Sequence, residues 1–404
     1  MIALGNAPTM RSNAATAALV EAFVVPVSPK TIWIFLAVHL DDGTVGYGEA
    51  TRFGAEEAVL AEIRLARQLL EGQPLAVPGE ALSALRMAHS SDARLAVMRA
   101  LEQAFLDALA RRSAVPLAFL LGGPERRTVP VYANINRGIA DRSPDGFASQ
   151  AKAVVTEEGY RAVKIAPFDG LDWSRCDPAS ASQLLYAGIA RIHAVRDAVG
   201  PDVNLLVDCH GRLSPTTART VLRETEACRL FWFEEPLKDD VFDAPAARAL
   251  HGFANDLGVR VAGGETLSTM AGTRDLIHRG AYDAILPDLR WTGLRTGLSI
   301  LELAAASGVE VSLHNPVGPI LDLISIQVAA ALPSFLILER QVRESPLFDA
   351  IRGSTSLLEG GAIALPAEPG LGPPPARAAL ERATDSNFSR SATFAGMAGA
   401  GPDA

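Results

Sequence analysis

The sequence predicts an α/β protein whose main part is a (β/α) barrel of modified TIM type, preceded by an α+β capping domain. From residue 129 onward, short apolar segments alternate with helical patterns, which is typical of βαβ units and a parallel sheet. Eight apolar segments end in a polar residue, and consecutive ends are 23 to 44 positions apart, enough for one helix and two loops. These polar residues are Asn134, Lys164, Asp208, Glu234, Glu265, Asp288, His314 and Glu339.

The positions of these polar residues favour a barrel over its structural alternative. A (β/α) barrel builds its active site from the carboxyl ends of its strands, so functional side chains are expected there. A doubly wound open sheet, the alternative, would not usually place a functional residue at every strand end. The widest spacing, from Lys164 to Asp208, leaves room for an inserted loop.

Strands followed by helices are expected before the barrel, and this order indicates a compact α+β unit. An Asp-Asp-Gly sequence at 41–43 lies between two apolar segments and favours a hairpin turn. The first helical segment carries apolar residues at alternating steps of four and three, and the second has Leu95, Met98, Leu101 and Phe105 at steps of three or four. The expected strands cover residues 19–25, 31–40 and 44–49, and the expected helices cover about 59–70 and 92–110.

We predict four segments along the chain. They are an α+β capping domain over residues 1–128, a catalytic (β/α) barrel over 129–345, a C-terminal segment over 346–384 that packs back on the cap, and a disordered tail over 385–404. The tail is mostly Ser, Ala and Gly with few apolar residues. It therefore cannot bury enough apolar surface to offset the entropy lost on ordering.

Composition narrows the class of protein. The chain has 404 residues, 49% of them hydrophobic, which is enough for a sizeable core and two domains. Its formal net charge of −9 argues against nucleic-acid or anionic-membrane binding, so an anionic substrate would need a local cation. No apolar run reaches the length that crosses a bilayer. Cys176, Cys209 and Cys228 lack a metal-type spacing and indicate reduced thiols in a cytoplasmic protein.

Three carboxylates predict a metal site. Asp208, Glu234 and Glu265 end consecutive apolar segments that should be buried in the barrel wall. Converging carboxylates would repel one another and lose solvation unless a cation joins them. Oxygen ligands alone select Mg²⁺ over zinc or copper. The alternative is that each acid caps the N-terminus of the following helix, an interpretation that suits one acid better than three on consecutive strands.

Strand alternation predicts which neighbours face the same way as these acids. Asp208 and His210 should both point inward, while Glu235 should face away from Glu234 and have a structural role. Lys164 should also point inward. Because a buried lysine is costly without a partner, we expect Lys164 near the acids or near a substrate carboxylate.

Asp288 and His314 end consecutive strands and are expected to form a general-base pair. Adjacent barrel strands are about 5 Å apart, so the two side chains can hydrogen-bond. A carboxylate bonded to one ring nitrogen fixes the tautomer and raises the basicity of the other nitrogen. The alternative is a core histidine that is bonded to a buried acid and has no catalytic role. The predicted metal site nearby argues against this alternative.

With these motifs in place, the sequence resembles the enolase superfamily, within it the mandelate racemase group, and within that group the acid-sugar dehydratases of galactonate type. Residues 31–51, ending in Gly-Tyr-Gly-Glu-Ala-Thr, are similar to the hairpin of the family's cap domain. Residues 105–123, with Pro-Leu-x-x-Leu-Leu-Gly-Gly, are similar to the helix and loop that lead into its barrel. Each motif alone is weak, but their order and spacing are specific, and the resemblance covers nearly the whole chain.

The resemblance implies a role for each candidate residue. A histidine base acts with Mg²⁺, and together they stabilise an ene-diolate formed from the substrate carboxylate. Glu339 would hydrogen-bond that carboxylate, and Lys164 would help to neutralise it. The implied metal ligands are Asp208, Glu234 and Glu265, and the implied base pair is Asp288 with His314.

Two features refine the expected reaction. The racemase has a Lys-x-Lys motif whose second lysine is a base on the opposite face, whereas this chain has Lys164-Ile165-Ala166, so racemisation by two bases is not expected. The run from Asp208 through His210 to Arg212 resembles dehydratases in which the histidine is the acid that expels a β-hydroxyl. Asn315 follows the base histidine, where galactonate dehydratase has a different residue. The identity of the sugar acid therefore stays open.

The expected function is therefore a lyase that converts a sugar acid to a 2-keto-3-deoxy acid. One alternative is an epimerase or racemase with a single base, acting on a hydroxy or amino acid. The other is a binding protein without catalysis on the same scaffold, which the intact set of ligands, base and acid argues against. The substrate is expected to be a small carboxylate, with no nucleic-acid or membrane partner, and the protein is expected to form a homo-oligomer.

Further polar residues are candidates for substrate binding. By analogy with the family, the cap should close the site with the loop at 28–30 and the segment at 51–53, which contains Arg52. Asn136 and Arg137 follow the first strand of the barrel, and Arg212 follows His210. The alternative for these residues is ordinary loop polarity.

Overall fold

The computed structural model describes residues 16–28, 31–71, 91–238, 243–353 and 358–384. The predicted disordered tail at 385–404 and most of the predicted closing loop at 28–30 lie outside the described residues. The helices of the described ranges include none that is both long and apolar enough to cross a membrane.

The first part of the chain forms a three-stranded antiparallel sheet with helices on one face. The strands are β1 (Ala17–Ser28), β2 (Thr31–Leu40) and β3 (Val45–Glu49), in that order across the sheet. The predicted hairpin between β2 and β3 is present, with Gly43 in the left-handed region at a φ of 86°. The helices are α1 (Glu56–Leu70), α2 (Asp92–Arg112) and the short α3 (Leu117–Leu120).

Helix α2 lies directly on strand β3 because glycines leave room for its backbone. A Cβ atom added to Gly46 would collide with the carbonyl oxygen of Ala104, and one on Gly48 would collide with that of Ala100. Six of the thirteen buried residues of α2 are alanines, including Ala100 and Ala104, which permits the same close approach.

We expect the Gly48→Ala substitution to destabilise the fold by about 1–3 kcal/mol or more, since the collision is with backbone that cannot move aside. Gly252→Ala is the matched control. Gly252 lies in a helix where an added Cβ meets nothing within 4 Å, so alanine should be neutral or should stabilise by up to about 1 kcal/mol. Urea unfolding of the two variants measures both changes, and equal stability would contradict the packing argument.

The second part is a barrel of eight parallel strands in sequence order. Each strand pairs with the next from the first to the seventh, and the last pairs with the first. A parallel bridge between Leu313 and Leu338 joins the seventh strand to the eighth and completes the ring. The strands are β4 (Thr128–Asn134), β5 (Ala162–Ile165), β6 (Asn204–Asp208), β7 (Trp232–Glu234), β8 (Arg260–Gly263), β9 (Ala284–Ile285), β10 (Glu310–Val311) and β11 (Leu338–Gln341).

A helix follows every barrel strand, as the alternating pattern predicts. Most of these helices begin at a Ser, Thr or Asp whose side chain accepts a backbone N–H of the first turn. The helices are α4 (Pro144–Glu158), α5 (Pro178–Val199), α6 (Pro215–Glu224), α7 (Ala244–Asp256), α8 (Met270–Arg279), α9 (Leu289–Ala306), α10 (Pro319–Ala331) and α11 (Leu347–Arg352). The chain then forms β12 (Leu358–Glu359), β13 (Ala362–Ala364) and α12 (Arg377–Ala383), and β13 pairs antiparallel with the start of β4.

An apolar layer inside the barrel supports the polar strand ends. Because strand side chains alternate, the residue two positions before an inward-pointing polar residue also points inward. Tyr132, Leu206 and Trp232 occupy such positions before Asn134, Asp208 and Glu234, and the rings of Tyr132 and Trp232 pack edge to face at 5.3 Å. This layer fills the barrel and leaves the polar side chains at its carboxyl end.

Two buried carboxylates of the cap join it to the barrel. Glu49 accepts the backbone N–H groups of Gly318 (2.8 Å) and Leu321 (3.0 Å) at the start of α10. Glu102 accepts the N–H of Leu294 (3.0 Å) in α9. Burial raises the pKa of Glu49 to about 7, although the hydrogen bonds from α10 oppose the shift. Both contacts are with the helices that follow β9 and β10.

Candidate active site

Lys164 lies inside the barrel among three carboxylates. Its Nζ is 2.7 Å from Glu234 Oε1, 3.0 Å from Glu339 Oε1 and 3.6 Å from Asp208 Oδ2. Burial would lower the pKa of Lys164, but the charges of Glu234 and Glu339 outweigh it and hold the pKa well above its usual value. The lysine is therefore a fixed cation at the centre of the site.

Glu234 has one carboxylate oxygen that is not satisfied. Its side chain is fully buried, and Oε2 has no hydrogen-bond partner within the part of the chain that the structure describes. Burial raises the pKa of Glu234 well above its usual value, and Lys164 counteracts only part of this shift. A buried, unpaired carboxylate oxygen calls for a proton or a cation beside it.

His210 faces Asp208, but not for the reason that strand alternation gave. Strand β6 ends at Asp208, and His210 lies in the left-handed region with a φ of 49°. Its backbone N–H donates to Asp208 Oδ1 (3.0 Å), and its Nε2 is 3.0 Å from Asp208 Oδ2. The turn brings the imidazole back over the strand end, where 46% of its side chain stays exposed.

The charges of Asp208 and His210 stabilise each other. Burial would raise the pKa of Asp208, but the charges of His210 and Lys164 overcome it and hold that pKa below its usual range. The charge of Asp208 in turn raises the pKa of His210. His210 is thus a partly exposed histidine that holds a proton readily.

His314 lies between two acids. Its Nδ1 is 2.9 Å from Asp288 Oδ2, so the contact expected between neighbouring strand ends is present, and its Nε2 is 3.1 Å from Glu265 Oε2. Burial would lower the pKa of His314, whereas the charge of Glu265 and the bond to Asp288 raise it above its usual value. With Asp288 bound at Nδ1, the nitrogen that faces the carboxylate cluster is Nε2.

Asp288 also binds a residue that the sequence interpretation missed. Arg290 is buried, and its Nε lies 2.9 Å from Asp288 Oδ2. Burial would raise the pKa of Asp288, but Arg290 and the bond to His314 keep it below its usual range. An arginine two residues after an acid at a helix start was the only signal in the sequence.

Glu339 is held by donors from three elements. Its Oε1 is paired with the ammonium of Lys164 (3.0 Å) and accepts from Asn134 Nδ2 (2.6 Å), and its Oε2 accepts the backbone N–H of Asn315 (2.8 Å). Burial would raise the pKa of Glu339, but Lys164 and His314 lower it. The acid is therefore fixed beside the lysine, at the closing strand of the barrel.

Of the three predicted metal ligands, Asp208 and Glu234 end neighbouring strands and Glu265 lies two residues beyond the end of the next strand, but each is bound to a basic side chain. Asp208 contacts His210, Glu234 contacts Lys164 and Glu265 contacts His314. Among the described residues, no three His, Cys, Asp or Glu side chains stand together in a group that could hold a metal ion. The donor set is nevertheless all oxygen, which suits Mg²⁺, and the unpaired Glu234 Oε2 is consistent with a cation there.

A cavity of about 640 Å³ opens from Asp208 and His210 toward the loops. Of the four predicted substrate-binding residues, Asn136, Arg137 and Arg212 line it and Arg52 does not. Arg52 binds Asp92 instead and stacks over Trp291. Arginines and acids that sequence reasoning missed also line the cavity: Arg142, Asp169, Arg191 and Glu344.

Some lining residues are engaged by the protein itself. The side chain of Asn136 accepts the N–H of Ala166 (2.6 Å) and donates to Asn134 (2.7 Å), which shapes the loop after β4. Arg137 binds Glu344 (3.1 Å). Arg212 donates one Nη1 bond to the carbonyl of Phe168 (2.8 Å). A larger cavity of about 800 Å³ includes none of the predicted site residues and lies near Tyr160.

Comparisons with known families match both parts of the chain. Residues 18–122 match the family of mandelate racemase / muconate lactonizing enzyme N-terminal domains, and residues 146–379 match the enolase C-terminal domain-like family. Among curated relatives, the D-gluconate dehydratase of Thermoproteus tenax is 32% identical over 348 residues, which cover 84% of this chain and 67% of the relative. The D-xylonate dehydratase of Haloferax volcanii is 28% identical over 350 residues, 84% of this chain and 82% of the relative.

Solved structures share the fold. A member of the enolase superfamily from Salmonella Typhimurium superposes with a TM-score of 0.77 at 22% identity, over 91% of this chain and 98% of that one. The mandelate racemase/muconate lactonizing enzyme from Jannaschia sp. CCS1 superposes with a TM-score of 0.78 at 24% identity, over 92% and 98% of the two chains. The chain therefore belongs to the enolase superfamily, in its mandelate racemase and muconate lactonizing enzyme group.

Proposed function

We propose that the protein is a Mg²⁺-dependent dehydratase of a sugar acid. The observation that carries the proposal is a pair of histidines, each bonded to its own acid, on either side of one carboxylate cluster. Two such groups allow one to accept a proton while the other donates one. The curated relatives that are named dehydratases of gluconate, xylonate, galactonate and arabinonate support the substrate class.

His314 is the base in this proposal. Asp288 occupies Nδ1, so Nε2 is the nitrogen that would accept the α-proton of the substrate, once its contact with Glu265 (3.1 Å) opens, as it would if Glu265 held Mg²⁺. The electron pair of the C–H bond then moves toward the carboxylate, whose growing charge is met by the ammonium of Lys164. Ala166 lines the cavity where a second lysine base would stand in a two-base racemase, so proton removal from one face is favoured.

Asp208, Glu234 and Glu265 are the residues that would hold Mg²⁺. When bound, the ion supplies positive charge that offsets the charge developing on the substrate carboxylate. Lys164 is paired with Glu234 and Glu339, orients these acids and offsets part of their negative charge.

His210 is the acid. As the double bond forms between C2 and C3, the C3–O bond breaks, and the proton from His210 converts the departing hydroxyl to water. The resulting enol tautomerises to a 2-keto-3-deoxy acid. The exposure of His210 toward the cavity and its raised pKa suit a residue that donates a proton to the substrate.

We expect the His210→Asn substitution to slow water loss by about a hundred- to ten-thousand-fold, the usual contribution of a general acid. The α-proton step needs only His314 and its neighbours, so the substrate should still exchange its α-hydrogen for deuterium. Proton NMR in deuterated water follows the exchange, and a 2-keto acid assay follows dehydration. His278→Asn, on the exposed face of α8, is the control and should leave both rates unchanged.

Two results would count against this division of roles. A His210→Asn variant that dehydrates at the wild-type rate would remove His210 from the mechanism. A variant that loses exchange and dehydration together, yet binds substrate, would mean that the two steps do not separate. A panel of aldonic and aldaric acids, assayed for dehydration, identifies the substrate. The expected homo-oligomer and cytoplasmic location stay predictions.

A further inference from the structure

The carboxylate of Asp288 is gripped by Arg290 as well as by His314. Arg290 Nε lies 3.0 Å from Oδ1 and 2.9 Å from Oδ2 of Asp288, and Nη2 also bonds Oδ2. The backbone N–H of Arg290 donates to Oδ1 at 2.7 Å. Asp288 is fully buried and Arg290 is 5% exposed, so water does not compete with these bonds.

These contacts leave the carboxylate one orientation. Two carboxylate oxygens offer about four acceptor positions. Oδ1 is used by the backbone N–H and Nε of Arg290, while Oδ2 is used by its guanidinium and by His314 Nδ1. A rotation of the carboxylate would break charge-assisted bonds in a dry interior, where each is strong.

Helix capping alone does not explain the arginine. Asp288 caps helix α9 through the backbone N–H of Arg290, a bond that any residue except proline could make. The side chain adds a buried charge, which is costly unless it is paired with good geometry. Asp288 is the acid that supplies that pairing, with a fork-like set of bonds.

The guanidinium is itself held between aromatic rings. Its central carbon is 5.1 Å from the ring centre of Phe53 in the cap and 5.5 Å from that of Trp291. The guanidinium of Arg52 also lies over Trp291, 4.2 Å from the centre of its ring. Such contacts favour a cation over an aromatic face, so the cap helps to keep Arg290 in place.

We propose that Arg290 is a positioning residue that fixes the orientation of Asp288 and, through it, the tautomer and ring orientation of His314. The proposal rests on the proposed function in taking His314 as the base. Its structural part, the bond between Asp288 and His314 Nδ1, can be measured without any substrate.

The test compares Arg290→Met and Arg290→Lys with Arg111→Met as a matched control. Arg111 also pairs with a buried acid, Asp107, but in the cap and away from the site. Arg290→Met should slow α-hydrogen exchange and kcat by about a hundredfold, the effect of a misplaced catalytic group, while KM changes by less than about threefold. Arg290→Lys keeps the charge but cannot bond both oxygens as a fork, so it should also be slowed.

A second readout follows the hydrogen bond directly. In protein labelled with ¹⁵N-histidine, the Nδ1–H of His314 should give a downfield, slowly exchanging proton signal, assigned by its loss in His314→Asn. We expect this signal to be lost or broadened in Arg290→Met and kept in Arg111→Met.

The outcomes separate this proposal from the proposed function. Wild-type exchange and an unchanged Nδ1–H signal in Arg290→Met would overturn the positioning role. Should Arg290→Met fail to fold, wild-type behaviour of Arg290→Lys would overturn it. If the wild-type protein acts on no sugar acid, the proposed function fails, while the proton signal in the variants still decides whether Arg290 orients His314.

Discussion

The His314→Asn variant should lose exchange of the substrate α-hydrogen with deuterated water, and dehydration with it. Asparagine fills similar space and can still bond Asp288, but it has no basic nitrogen facing the carboxylate cluster. Since Ala166 replaces the opposite-face lysine of the racemase motif, no second base is expected to take over. We expect a fall of about ten-thousand-fold, the upper end of what one general base contributes. Proton NMR of the α-position measures it.

His39→Asn is a suitable control for this experiment. His39 lies in the cap sheet and contacts Glu21 at 3.1 Å, so its loss should change neither exchange nor dehydration. Exchange that persists in His314→Asn would show that another group removes the proton. Racemisation of a simple 2-hydroxy acid by the wild-type protein would show that a second base had been overlooked.

The barrel and the central carboxylates could be predicted because both follow from strand geometry. Alternation fixes the direction of Lys164, Asp208 and Glu234, which lie within or at the ends of their strands. Asp288 lies three residues beyond the end of β9 and His314 three beyond β10, yet they meet as expected. Their loops are short, so the spacing of the strands still governs the distance.

The positions of His210 and Arg52 do not follow from strand geometry. Alternation applies only while the strand continues, and the chain leaves it at Asp208, so His210 reaches its place through a left-handed turn. Arg52 has a long side chain whose direction a sequence pattern does not specify, and it binds Asp92 instead of lining the cavity. Positions in loops depend on contacts between distant segments, which local patterns do not contain.

Arg290 was missed for a related reason. A charged residue in the first turn of a helix is usually exposed, so the sequence alone does not indicate that Arg290 is buried. Only the closed barrel shows that this first turn is buried under the cap, with Phe53 against the guanidinium. Arg290 gains its functional role through its partner, Asp288.

The Glu234→Gln substitution should abolish most of the activity, and so should the removal of Mg²⁺ from the wild-type protein. Glu234 supplies a buried negative charge beside Lys164, and its Oε2 is the unpaired oxygen of the cluster. Glutamine has nearly the same shape but no charge, so it would bind a divalent cation poorly. We expect the variant to lose more than about a hundredfold in activity, beyond the effect of changing a residue that only supports a metal ligand. Titration calorimetry with Mg²⁺ should show weaker binding.

The neighbouring acid provides the control for that substitution. Glu235 accepts the backbone N–H of Gly264 at 2.7 Å and has its backbone in the left-handed region, which agrees with a structural role. Glutamine can accept the same bond, so Glu235→Gln should keep both Mg²⁺ binding and turnover. Dialysis against a chelator should abolish the activity of the wild-type protein, and added Mg²⁺ should restore that activity. Full activity in excess chelator, or a Glu234→Gln variant as active as Glu235→Gln, would remove the metal from the proposed mechanism.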